Sequence, residues 1–75
     1  MLKYWYLLID MLRVEVAGPH IRLVYASGGK EVEAIGTRFD VPSLLGLFVA
    51  QMAREGIGVD EICKALREAV EKIGG

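Results

Sequence analysis

The stretch LRVEVAGPHIRLVYASGGKEVEAIGT, Leu12 to Thr37, decides the fold. Leu12, Val14 and Val16 alternate with Arg13, Glu15 and Ala17, the period of two that a half-buried strand requires. Gly18 and Pro19 interrupt it with a turn. Ile21, Leu23 and Tyr25 then alternate with Arg22, Val24 and Ala26 in a second strand. Ser27, Gly28, Gly29 and Lys30 supply a hairpin loop, and a third strand runs from Glu31 to about Thr37. Its principal apolar positions, Val32 and Ile35, are an odd number of residues apart, which predicts a bulge or twist near Gly36.

Beyond Thr37 the period changes. Asp40 is placed to cap a helix or to precede its cap, and Pro42 sits in the first turn, where its missing N–H costs nothing. The following segment, PSLLGLFVAQMARE from Pro42 to Glu55, is apolar nearly all the way round. Leu44, Leu45, Phe48 and Met52 recur on one side, and Leu47, Val49, Ala50 and Ala53 carry apolar surface onto the others. Gly56, Ile57 and Gly58 make a tight connection to a second helix, expected to be capped by Asp60 and to run through Lys72 before Gly74 and Gly75. Its apolar stripe is Ile62, Leu66, Ala69, Val70 and Ile73, with Glu61, Lys64, Arg67, Glu68, Glu71 and Lys72 facing water.

The order β-β-β-α-α predicts one α+β domain over residues 1–75: an antiparallel meander at 11–37 and a helical hairpin at 42–73 packed on one of its faces. Residues 1–10 either extend the first strand or form a short amphipathic helix, and they are a candidate interface arm. YWYLLI after Lys3 is interrupted by Asp10 and Arg13, which does not fit a signal peptide, and it is too short to span a bilayer.

A chain of 75 residues, 53% of them hydrophobic, is near the lower size limit for a self-sufficient core. With a single cysteine it has no disulfide to help, and oligomerisation is the remaining device. A net charge of −1 gives no basic surplus for a polyphosphate backbone. Lone Cys63 fits a reducing compartment, so the cytoplasm is expected. Asparagine is absent and Gln51 is the only glutamine, a depletion shared with proteins from hot habitats.

Several small constellations have both a functional and a structural reading. Gly56, Ile57 and Ile62 fall at helix-turn-helix spacing, but Gln51 and Glu55 stand where that motif needs apolar residues. The would-be recognition helix carries Asp60, Glu61, Glu68 and Glu71, which disfavours nucleic acid. Gly28, Gly29 and Lys30 lack the Walker spacing and read as a turn. His20, beside Pro19, has no partner at ligand spacing, and Cys63 reads as a small half-buried side chain. Arg38, just ahead of the first helix's amides, is the candidate anion contact, with Asp40 as a cap the structural alternative. Tyr4, Trp5 and Tyr6 favour burial at an interface over base stacking. No catalytic set, metal site or cofactor motif can be assembled from these residues.

The block GGKEVEAIGTRFDVPSLLGLFVAQMAREGIGVDEICKALREA resembles the TSCPD-type domain, found free-standing and at the end of some ribonucleotide reductases. The shared run is R-x-G-I/V-x-x-x-E-I-x-x-x-L, here Arg54, Gly56, Ile57, Glu61, Ile62 and Leu66. The Thr-Ser-Cys-Pro-Asp segment that names the family is missing, so no family site carries over. The resemblance implies a small accessory or regulatory module, with nucleotide binding as one of its possible activities.

The functional expectation is therefore a non-catalytic interaction module that self-associates through the apolar helix. Leu44, Leu47, Phe48 and Met52, together with Trp5, are its expected interface. The alternative is a small-ligand or nucleotide-binding regulatory domain that meets an anion at Arg38.

Overall fold

A computed structural model describes residues 11–74 of the chain. The three alternating segments form strands β1 (Met11–Ala17), β2 (His20–Ser27) and β3 (Lys30–Thr37), and two helices follow, α1 (Val41–Arg54) and α2 (Val59–Gly74). The sheet is antiparallel in the order β1-β2-β3, so this is the α+β meander with a helical hairpin that the sequence pattern predicts. The expectations for residues 1–10, Trp5 included, lie outside the described residues. No described helix is long and apolar enough to cross a membrane.

Gly28 and Gly29 both have positive φ, +55° and +83°, the signature of the two-residue turn whose twist matches a hairpin. The register then stacks inward residues in rows: Leu12, Tyr25 and Val32; Val14, Leu23 and Ala34; Val16, Ile21 and Gly36. The β2–β3 ladder pairs without interruption from His20 opposite Thr37 to Ser27 opposite Lys30, so the expected bulge is absent. Ile35 lies on the opposite face from Val32 and is 58% exposed, while Ala34 takes the inward position and is buried. The reason is steric. α1 crosses β3 so closely that a Cβ on Gly36 would stand 2.9 Å from Leu44 Cβ, and the inward positions of this end of β3 are taken by the small residues Ala34 and Gly36.

Leu44, Phe48 and Met52, spaced four apart on α1, fill the core against this inner face, and none is more than 2% exposed. The Phe48 ring meets Tyr25 edge to face, with centroids 6.5 Å apart. α2 contributes Ala65 and Ala69, with Ile62 and Ile73 half-buried beside them. The opposite face of the sheet is charged. Arg22 pairs there with Glu15 at 3.0 Å and with Glu33, and these two carboxylates hold its guanidinium above its ordinary pKa, the Glu33 hydrogen bond foremost. Val24 is buried on that face too, between Arg13 and Glu33 on neighbouring strands.

Asp40 caps α1 by accepting from the Ser43 amide. The other end closes in a Schellman motif around Gly56 (φ +81°): the Ile57 amide donates to the Met52 carbonyl at 3.1 Å, and the Gly56 amide to Ala53 at 3.0 Å. Lys30 donates from Nζ to the Glu55 carbonyl at 2.6 Å, a cation on the negative end of the helix. α2 begins one residue before Asp60, whose carboxylate therefore lies inside the first turn and does not cap it. The Ile62 amide closes that turn on the Gly58 carbonyl.

Candidate functional site

The outward side of α1 sets this molecule apart. Its inward residues repeat every fourth position, so the opposite side of the 3.6-residue spiral is fixed as Pro42, Ser43, Gly46, Ala50 and Ala53, with half-buried Val49 at its edge. Among the exposed residues of α1 only Ser43 and Arg54 are polar. A helix that ends its packing at the surface normally carries a charged stripe there, and α1 carries none.

α2 completes the surface. Leu66 is half-buried and Val70 is 48% exposed, although both belong to the stripe expected to be buried. The buried line on α2 runs instead through Ala65 and Ala69, small residues that let the helix lie close to the sheet, so Leu66 and Val70 are turned toward α1 and outward. Pro42, Leu45, Gly46 and Val49 face Leu66 and Val70 across a shallow groove of about 410 Å³ with almost no polar lining.

The expected interface residues separate. Leu44, Phe48 and Met52 are interior to this chain and cannot meet a partner, because the sheet already covers them. Leu47 is 42% exposed but lies on the flank of α1 toward β3, where it lines a separate cleft of about 280 Å³ with Ile35, Thr37 and Ser43. The apolar surface is thus present on α1, but on the side opposite the strongest hydrophobics.

Arg38 is exposed and lines a cleft of about 250 Å³ whose other walls are Val16, Ile21, Val41 and Ile73. Its own amide donates to the Pro19 carbonyl at 2.8 Å, and the nearby Asp40 carboxylate answers the helix amides from within the chain. Lys30 of the glycine loop is engaged at the end of α1, His20 is exposed at the start of β2, and Cys63 is exposed where a half-buried thiol was expected. Among the described residues no three His, Cys, Asp or Glu side chains stand together in a way that could hold a metal ion.

Sequence reasoning missed one polar cluster. Glu61, expected to face water, is half-buried and accepts from the Tyr25 hydroxyl at 2.7 Å and from the Ser27 hydroxyl. Tyr25 and Ser27 share the inward parity of β2 and Glu61 opens α2, so the cluster ties the first turn of α2 to the sheet. The available signal was a tyrosine on an inward strand position, whose hydroxyl needs a partner when buried.

No protein-family model, curated protein or solved structure matches the chain.

Proposed function

We propose that this chain is a non-catalytic interaction module whose working surface is the outward face of the α1–α2 hairpin. The observation that carries the reading is the uncharged outer side of α1 beside the apolar groove at Leu66 and Val70. Covering that surface releases water from apolar area at roughly 25 cal/mol per Å², opposed by the entropy lost on association. The rest of the fold supports the module: the sheet packs the inner side of α1 and the Schellman motif closes its end, which leaves the outer side free to meet a partner.

Ala50→Lys combined with Val70→Lys tests the reading, because both positions are exposed and the added charges do not enter the core. The unmodified chain is expected either to bind an apolar-surface dye, if the face is open, or to show a molar mass above the monomer, if it is covered. The double variant is expected to do neither while keeping its helical circular dichroism. An unmodified chain that is monomeric and silent toward the dye contradicts the proposal.

A further inference from the structure

We infer that the partner of this face is a second copy of the chain, joined about a two-fold axis with the two α1 helices antiparallel; this rests on the hairpin face being the working surface. The charges at the ends of α1 select the arrangement. Asp40 stands at the N-cap and Arg54 in the last turn, and along the outer side between them there is no other charge. Among the described residues Arg54 is exposed and makes no ion pair, and the Asp40 carboxylate accepts the long 3.4 Å bond from the Ser43 amide.

A two-fold axis across α1 superposes the helix on its own reverse. With the crossing between Gly46 and Ala50, Gly46 of one copy lies against Ala50 of the other, and Arg54 falls beside Pro42 and within a turn of Asp40. Each dimer then gains two Asp40–Arg54 pairs. A parallel pairing would set Asp40 against Asp40 and Arg54 against Arg54, so the same charges reject it. A Cβ on Gly46 would meet nothing within 4 Å in the single chain, which leaves room for the opposing backbone. Two hairpins about 20 Å long and two helices wide cover on the order of 1,200 Å² in total, the lower end of the range for a stable dimer.

The test is sedimentation of the full chain over a dilution series, together with Asp40→Asn, Arg54→Gln and the two combined. Asparagine caps a helix as well as aspartate does, so the first variant removes charge and keeps α1. Each single variant is expected to weaken dimerisation about two- to tenfold, and the double variant no more than either alone, the mark of a shared contact. Tighter dimerisation on neutralising either charge would mean a parallel pairing, and unchanged or additive effects would mean that the two groups do not meet; any of these overturns the inference. An unmodified chain that stays monomeric yet binds an apolar-surface dye would overturn the second copy as partner while leaving the hairpin face as the working surface. A monomer that binds no dye would overturn both.

Discussion

Gly36 and Glu61 decide how the helices meet the sheet, and neither announces itself in an alternation pattern. At Gly36 the space is already taken by Leu44 Cβ, 2.9 Å from where a methyl group would go, and a Cβ near the helix backbone has little freedom to move aside. Gly36→Ala is expected to destabilise the fold by about 1–3 kcal/mol, read from the urea midpoint. Glu61 answers two hydroxyls that the packing of α2 removes from bulk water. Glu61→Ala is expected to cost about 1–3 kcal/mol, and Tyr25→Phe less, since it takes away the donor and leaves no unsatisfied group in its place. A thermal-unfolding comparison checks both. The period of two correctly gave Leu12, Ile21, Leu23 and Tyr25 as inward residues. It failed at Ile35 because size, not polarity, chose the inward residue: Ala34 and Gly36 sit where α1 comes closest, and the larger Ile35 is left outside. Glu61 failed for a related reason, since a carboxylate on a clean amphipathic helix gives no sign that a tyrosine on another element needs it.

Each secondary structural segment is bounded by chemistry that the sequence states openly. Asp40, Pro42 and Gly56 mark the ends of α1 within a residue of where they fall, and paired glycines mark the β2–β3 turn. The long-range support is what remained hidden: Lys30, twenty-five residues from Glu55 in the chain, reaches its carbonyl at the end of α1. Gly56→Ala forces a side chain into a left-handed backbone at φ +81° and is expected to cost about 1–2 kcal/mol. Lys30→Met removes the cation from the same helix end and is expected to cost about 0.3–1 kcal/mol, falling as salt is added. Denaturant unfolding at low and high ionic strength separates the two, because only the second depends on salt. The same logic explains the displaced interface. Composition correctly marked α1 as apolar on several sides, but the sheet takes the side with Leu44, Phe48 and Met52. Only a structure reveals which residues are left over, namely the smaller ones at Gly46, Ala50 and Ala53 and the groove beside Val49.

The described residues form a charged sheet surface, a core one layer thick, and a hairpin whose outer α1 side carries no charge between Asp40 and Arg54. Pairing through that face would give a four-layer assembly with sheets outside and helices inside, and the Arg13, Glu15, Arg22 and Glu33 network would remain on the outer surface. A chain of 75 residues buries a smaller share of its surface than a larger domain does, so a partner adds proportionately more to its stability. Thermal stability is accordingly expected to rise with protein concentration, and to lose that dependence in Ala50→Lys, as differential scanning calorimetry at two concentrations would show. The most direct measurement is the molar mass of the full chain by light scattering across a dilution series, beside Ala50→Lys. The expected result is a dimer that dissociates on dilution in the native chain and a folded monomer throughout in the variant. A variant that dimerises as tightly as the native chain would contradict the claim that the outward face of the hairpin is where this protein meets its partner.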